Sequence, residues 1–174
     1  VVYARTSSQN LDSHGVAVTK DKRYLWVSDR IQNDVTVVDT QSDTVVGRFG
    51  LAGRLSSDPA PDIFDLSPGG QHMFVTLRGP TPQSGGHAAF GNTPGLGVIR
   101  ILAGGRSGQL VDIARLPNTR PGVAADPHGV RVRYLTPCPD LALSVTYTGL
   151  GGAVTAYSHP SRPVRVPADA ELTI

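Results

Sequence analysis

The sequence predicts an all-β fold made of repeated four-stranded antiparallel sheets that pack around a common axis. The segment SHGVAVTKDKRYLWVSDR, from Ser13 to Arg30, returns 48 residues later as PDIFDLSPGGQHMFVTLR, from Pro61 to Arg78. A looser third copy begins at Pro127 with PHGVRVR. Twenty Gly and 14 Pro lie between short apolar runs, as is typical of many turns joining short strands. A repeat of this length, carried by β-type runs, indicates a radial β-repeat.

Each repeat is predicted to be an antiparallel meander, because β-branched and aromatic runs alternate with polar turns. The first repeat, 13–51, has strand-like runs at 15–19, 24–29, 34–40 and 44–51. The second, 60–116, has them at 62–67, 72–78, 95–102 and 110–116. The third, 127–167, has them at 129–133, 141–147 and 153–158, with a poor fourth at 163–167 whose prolines suit a sheet edge. The ends, 1–4 and 171–174, are predicted to be single strands of adjoining units.

Apolar residues on the predicted strands are expected to be buried between the sheets. They are Val16, Val18, Leu25, Val27, Val35, Val37, Phe64, Leu66, Met73 and Val75.

The second repeat carries a long insertion at 79–94, rich in Gly and Pro. Long loops without regular structure in compact domains tend to be functional or disordered, so this insertion is the best candidate for an interaction loop. It contains His87, and Phe90 is its one large apolar residue. If this loop binds a partner, Phe90 is the expected anchor.

Residues 13–50 resemble the YVTN-type β-propeller repeat. The matching parts are an apolar first strand at 16–19, a turn at 20–23, a Tyr-Val-Tyr-Val-like strand at 24–28 and a Val-x-Val-Ile-Asp-like strand at 35–39. The resemblance is weaker over 60–116 and weakest over 127–158. It implies membership of the seven-bladed lactonase-like and WD40-like propeller superfamily, and an extracytoplasmic location, periplasmic or secreted.

Three units do not close a ring, since propellers have about four to eight blades. We therefore expect a single propeller region, 1–174, whose remaining blades come from the same or another chain. A piece of a longer polypeptide is the preferred interpretation.

Composition excludes several kinds of partner. Sixteen basic and 14 acidic residues give a net charge of +2 without long runs of one sign, which predicts no nucleic-acid binding. Apolar runs of about five to eight residues fall well short of the ~20 that a membrane-spanning helix needs. The single cysteine, Cys138, lies between prolines and is predicted to be a loop residue without an internal disulfide. The sequence contains no Cys-x-x-Cys-His motif for haem attachment, and we predict no cofactor.

Candidate site residues follow from aligning the repeats. In propellers of this kind the first strand of each blade lines the central channel, so His14, Asp62 and His128 are predicted to ring one mouth of it. Arg30 and Arg78, which follow the second strands, are expected on the same face.

Two interpretations of the three equivalent residues stay open. They form a metal or acid–base site, or each bonds to the backbone of a turn between units. The second is preferred because no compact ligand spacing is present, so we predict no metal. Arg131 and Arg133 alternate with valines and point to one side of their strand. They either bind an anionic ligand in the channel or pair with carboxylates such as Asp65.

No nucleophile motif or complete catalytic set is visible, which favours a non-catalytic module. We predict a binding or scaffold module that presents the loops of one face to a protein partner or a small ligand. The alternative is a propeller enzyme, lactonase-like or a metal-dependent hydrolase or oxidoreductase, with its site at the channel mouth. His14-Gly-Val and Asp126-Pro-His-Gly129 resemble segments of lactonase-type propellers, so the question of enzymatic activity stays open.

Overall fold

A computed structural model of the protein describes residues 11–81 and 89–134, together with the backbone of two further strands within 143–158. The described strands form three antiparallel sheets. The first sheet contains β1 (Ser13–Val18), β2 (Tyr24–Asp29), β3 (Asp34–Asp39) and β4 (Thr44–Gly50). The second contains β5 (Pro61–Leu66), β6 (His72–Leu77), β7 (Gly95–Leu102) and β8 (Ser107–Arg115). The third contains β9 (Val130–Tyr134), β10 (Leu143–Gly149) and β11 (Gly152–Ser158).

The strands of each sheet follow one another in chain order, so the first two sheets are the predicted four-stranded meanders. In the described residues the one helical element is a 3-10 turn at Ala103–Gly105, between β7 and β8. None of the described helical structure is long and apolar enough to cross a membrane. The predicted fourth strand of the third sheet, 163–167, and the predicted terminal strands, 1–4 and 171–174, lie outside the described residues.

The three sheets are arranged radially. The first strand of each sheet lies beside the first strand of the next, β1 against β5 and β5 against β9. The outer strands β4 and β8 also meet. First strands that neighbour one another line the inner side of the stack, as the repeat predicts.

The hydrophobic core lies between the first and second sheets. Trp26 on β2 is fully buried, with Phe49 edge-on at 4.9 Å and Phe64 at 6.3 Å between ring centroids. Its indole Nε1–H donates a 2.7 Å hydrogen bond to the carbonyl of Gly105, beyond β7. One side chain of the first sheet is therefore both packed against the second and hydrogen-bonded to it, which fixes their relative position.

The prediction of buried residues is confirmed for those that face the core between the first two sheets. Val35, Val37, Phe64, Met73 and Val75 are buried in this core. Leu25, Val27 and Leu66 are half-buried.

The prediction is wrong for Val16 and Val18, which are 59% and 44% exposed. Alternate residues of a strand point to opposite faces, and these two valines lie on the opposite face from Ala17, which packs against the core with Trp26. Their face of the first sheet points away from the second sheet.

Gly15 is expected to be essential to the close approach of the first two sheets. A Cβ added there would lie 1.9 Å from the carbonyl oxygen of Asp62 and 2.9 Å from Ser28 Oγ. Gly15→Ala therefore forces β1 and β5 apart, and we expect the free energy of unfolding to fall by about 1–3 kcal/mol in chemical denaturation. Gly50→Ala is the matched control, because nothing lies within 4 Å of its added Cβ. Equal stability of the two variants would contradict this packing.

Candidate ligand-binding site at the mouth

The mouth is the face of the stack where β1 and β5 begin, and it is defined here by His14, Asp62 and His128. An irregularity in strand pairing occurs at the same place in both repeats, between Ser13 and Val16 in β1 and between Pro61 and Phe64 in β5. Such bulges re-aim the side chain that they contain. His14 and Asp62 are those side chains, and both point to the same cluster.

Equivalent hydroxyl groups hold the two bulges. Ser28 Oγ accepts a 2.8 Å bond from the Gly15 N–H, and Thr76 Oγ1 accepts a 3.2 Å bond from the Ile63 N–H. Ser28 and Thr76 are 48 residues apart, as are Gly15 and Ile63. Ser28 Oγ also donates a 2.9 Å bond to the carbonyl of Asp62, which ties β2 to β5. The sequence repeat therefore extends to the hydrogen bonds that position the site.

Asp62 is the centre of the cluster and is completely buried. Its Oδ2 lies 2.5 Å from Nδ1 of His128 and 3.0 Å from Nη1 of Arg78. Nη1 of Arg30 lies 3.5 Å from the same oxygen, and Nε2 of His14 lies 3.2 Å from Oδ1. One carboxylate thus links side chains at the start of β1, after β2, after β6 and before β9.

Two further carboxylates, Asp12 and Asp126, bind the two arginines. Arg30 donates to Oδ2 of Asp12 through Nε at 2.9 Å and Nη2 at 2.7 Å. Arg78 and Asp126 form a bidentate ion pair, in which Nε donates to Oδ1 and Nη2 donates to Oδ2, both at 2.7 Å. Both guanidinium groups are buried. The Arg78–Asp126 pair joins the second sheet to the segment that leads into the third, whereas the Arg30–Asp12 pair lies within the first sheet.

Asp12 and Asp126 were not among the predicted site residues, although the sequence contains a signal for them. Asp12-Ser-His14 and Asp126-Pro-His128 share the spacing Asp-x-His, 114 residues apart. The second repeat has Ala60-Pro-Asp62 at the equivalent place. Because Ala60 offers no carboxylate, Arg78 bonds across the junction to Asp126, while Arg30 bonds to Asp12 before its own sheet.

The interpretation that each residue merely bonds to a turn is too simple for this cluster. The contacts of Asp62 with His14, His128, Arg30 and Arg78 are between side chains and span three sheets.

Burial and the charges of neighbouring groups shift the pKa values of Arg78 and His14. Burial lowers the pKa of Arg78, but hydrogen bonds and charge from Asp126 and Asp62 outweigh it and raise the pKa above its ordinary value. The pKa of His14 is lowered, chiefly by burial; the charge of Asp62 acts against this shift, and the charge of Arg30 adds to it. His14 therefore favours the neutral form at pH 7, and Arg78 stays charged.

The contact between His128 Nδ1 and Asp62 Oδ2 constrains the tautomer of that imidazole, and Nη1 of Arg78 lies 3.4 Å from the same nitrogen. An ionised carboxylate accepts but does not donate, so an ionised Asp62 requires a proton on Nδ1 of His128. A neutral ring with its proton on Nδ1 has its basic lone pair on Nε2. The His128 side chain is 38% exposed and that of His14 is 25% exposed, with ring centroids 5.2 Å apart. The mouth therefore presents two neighbouring imidazoles backed by a buried carboxylate.

The cluster fits a metal ion poorly. One atom each of His14, Asp62 and His128 lies within 4.8 Å of the others, which gives three ligands of suitable type. However, guanidinium groups of Arg78 and Arg30 lie 3.0 and 3.5 Å from Oδ2 of the same carboxylate. Fixed positive charges at that distance compete with a cation for the oxygen and repel it.

Three further predicted residues, Arg131, Arg133 and Phe90, are exposed. Arg131 is 83% exposed, with its Nε 3.9 Å from Oδ2 of Asp65, so the suggested pairing is at most a loose contact. Arg133 is also exposed, and Phe90 is 57% exposed. His87 lies outside the described residues.

The base of the insertion lies beside the mouth. The Gly79 N–H donates to Oδ1 of Asp126 at 3.3 Å, and the Gly91 N–H donates to the carbonyl of Gly79 at 3.2 Å. The two ends of the insertion thus meet next to the carboxylate that binds Arg78. This places the described ends of the loop on the same face as His14 and His128.

Three solved structures are similar to this chain, the first of them with a TM-score above 0.5. A protein from Lactobacillus plantarum aligns with a TM-score of 0.58 and 14% identity, over 89% of this chain and 40% of its own. A structure described as a putative 6-phosphogluconolactonase, from Bacteroides uniformis, aligns with a TM-score of 0.46 and 11% identity, over 84% of this chain and 40% of its own. The β-propeller domain of Myceliophteria thermophila Cps50 (Swd1) aligns with a TM-score of 0.39 and 10% identity, over 84% of this chain and 55% of its own.

Successive antiparallel meanders with neighbouring first strands define the class of this protein. The chain is all-β and forms blades of a β-propeller, as the sequence predicted. It spans about 40% of the length of the first two structures. No protein-family model matches the chain, and no curated protein matches it. The finer assignment to the YVTN-type repeat stays a prediction.

Proposed function

We propose that this propeller region is a binding module whose mouth contacts a small ligand or a protein partner, with His14 and His128 as the contacting groups. The observation that carries the proposal is the convergence of two partly exposed imidazoles, from the first and third blades, on the buried Asp62. The arginine–carboxylate pairs would suffice to join the blades, so the imidazoles are not needed for that purpose. What the imidazoles add is hydrogen-bonding groups that reach solvent.

The unsatisfied hydrogen-bonding capacity of Asp62 also supports the proposal that the mouth binds a polar ligand. Oδ1 of Asp62 is buried and accepts no hydrogen bond from the described residues, although Nε2 of His14 lies 3.2 Å away. Buried acceptors are nearly always satisfied, and exceptions concentrate at functional sites. A bound hydroxyl or amide that reorients His14 would satisfy this oxygen.

The insertion supplies the apolar part of the proposed surface. Its base is fixed beside Asp126, and Phe90 close to that base is largely exposed. Exposed aromatic residues next to an ordered polar centre are typical anchors of interfaces. A complete ring, with further blades from the same or another chain, is part of the proposal.

A second candidate is a hydrolase of the lactonase type, favoured by the 2.5 Å contact of His128 with Asp62. With its proton on Nδ1, His128 can take a proton from water at Nε2 while the water oxygen attacks the lactone carbonyl carbon. The ester C–O bond then breaks, and the same proton passes to the departing alkoxide. Asp62 orients the ring and stabilises the imidazolium.

One set of variants tests both candidates. We expect ring signals of His14 and His128 to shift in NMR titrations with a panel of lactones, sugar acids and short peptides. Asp62→Asn is expected to weaken that response, and His128→Gln is expected to weaken binding about tenfold or more. Asp112→Asn, on exposed β8, is the control that should bind as the wild type does.

Turnover separates the two candidates. Hydrolysis that falls about 10²–10⁴-fold in His128→Gln identifies general-base catalysis and the enzyme. Binding without hydrolysis identifies the module. Ligands whose affinity is the same in His128→Gln and in Asp112→Asn would contradict a site at the mouth.

A further inference from the structure

A cavity lies on the face opposite the mouth, between the first two blades. It has a volume of about 640 Å³, in the range of about 300–1,000 Å³ typical of small-molecule sites. Its walls come from the β1–β2 turn, the β5–β6 turn, the end of β7 and the 3-10 turn that follows. The residues that carry the argument are Lys20, Asp21, Gly70, His72 and Arg100.

The charge in this cavity is predominantly positive. Neither Lys20 nor Arg100 has a carboxylate within 4.0 Å among the residues that the structure describes. Asp21 is the one acidic residue among the lining groups. Its Oδ1 already accepts bonds from Thr19 Oγ1 at 2.6 Å and from the Arg23 N–H at 3.0 Å. The wall therefore carries two cations against one carboxylate, and that carboxylate is not within 4.0 Å of either cation.

Gly70 directs Lys20 across the junction between the blades. A Cβ at Gly70 would lie 2.8 Å from both Cβ and Cδ of Lys20, so the lysine stem rests directly on the glycine. The φ of Gly70 is +76°, a conformation that side-chain-bearing residues rarely adopt. Lys20 is an exposed residue of the first blade, but its aliphatic stem is packed on a turn of the second.

His72 adds a titratable group to the same wall. Its pKa is lowered, first by burial and second by the positive charge of Arg100. A bound anion would reverse the second effect, because negative charge near an imidazole favours its protonated form.

We propose that this cavity binds the oxyanion group of a small organic molecule, a phosphate or a carboxylate, held by Lys20 and Arg100. Arginine offers a planar fork for two oxygens, and lysine offers a point charge, a combination suited to such groups. The volume leaves room for the rest of a small molecule beside the group. The site is independent of the mouth, which lies at the other end of the first strands.

NMR titration of the full chain with inorganic phosphate, and separately with acetate and citrate, tests the proposal. We expect saturable shifts of the His72 ring signals and an increase of its pKa on binding. Lys20→Gln and Arg100→Gln should each weaken binding about tenfold or more. Lys22→Gln is the matched control, since Lys22 is an exposed lysine of the same turn that does not line the cavity. A preference for phosphate or for carboxylate identifies the group.

Equal weakening in Lys20→Gln and Lys22→Gln would show only diffuse attraction to a basic surface and would overturn the proposal. Shifts that never saturate would do so as well. Gly70→Ala provides a second test in which both charges are kept. It should displace the Lys20 stem and weaken binding, with the fold checked by circular dichroism, and unchanged affinity would contradict the geometry.

Discussion

Replacement of Asp62 by alanine is expected to lower the free energy of unfolding by about 3–5 kcal/mol. Asp62 is completely buried, and its carboxylate lies within 3.5 Å of both buried guanidinium groups. Removing it leaves positive charge in the interior that Asp12 and Asp126 only partly balance, and uncompensated buried charge is among the most destabilising changes known. Urea or guanidinium denaturation of the purified chain measures the effect.

The control for this prediction is Asp112→Asn, because Asp112 is exposed on β8 and, within the described part of the chain, its side chain accepts a hydrogen bond only from the N–H of its neighbour Ile113. We expect a change within about 0.5 kcal/mol. If Asp62→Ala were no more destabilising than this control, the buried network would not join the blades.

Replacement of Trp26 by alanine is expected to cost about 3–5 kcal/mol of the free energy of unfolding. Trp26 is fully buried between the first two blades against Phe49 and Phe64, so its truncation opens a large cavity. Trp26→Phe should cost less than Trp26→Ala. It keeps an aromatic ring and loses the bond from Nε1 to the carbonyl of Gly105, a loss of about 1–3 kcal/mol if that carbonyl stays unsatisfied.

Phe90→Ala is the aromatic control for Trp26, since Phe90 is largely exposed. Its effect should stay within about 0.5 kcal/mol. A similar loss in both variants would mean that Trp26 does not join the first blade to the second.

The repeat made much of the fold predictable. An offset of 48 residues aligned His14 with Asp62 and Arg30 with Arg78, and the structure brings these four side chains together. The reason is physical, since the same strand pattern forms the same meander and equivalent residues then lie at the same end of it. Ser28 and Thr76, which hold the bulges, follow the same offset, although neither was predicted to have a role.

The pairing within the site was not predictable from the repeat alone. Arg78 bonds to Asp126 because Ala60 leaves its own blade without a carboxylate, which depends on the junction between blades and not on one repeat. The prediction that Val16 and Val18 are buried was wrong for a related reason. A strand pattern tells which residues share a face, and the neighbouring elements decide whether that face is covered.

The protonation state of His128 tests the central claim most directly, because the claim is that Asp62 gathers imidazoles from two blades at the mouth. Long-range proton–nitrogen NMR spectra of the histidine rings at neutral pH measure it, with the signals assigned from His128→Gln. We predict a His128 ring protonated at Nδ1, with that proton protected from exchange and the protection lost in Asp62→Asn. A ring protonated at Nε2, with a spectrum unchanged in Asp62→Asn, would contradict the account.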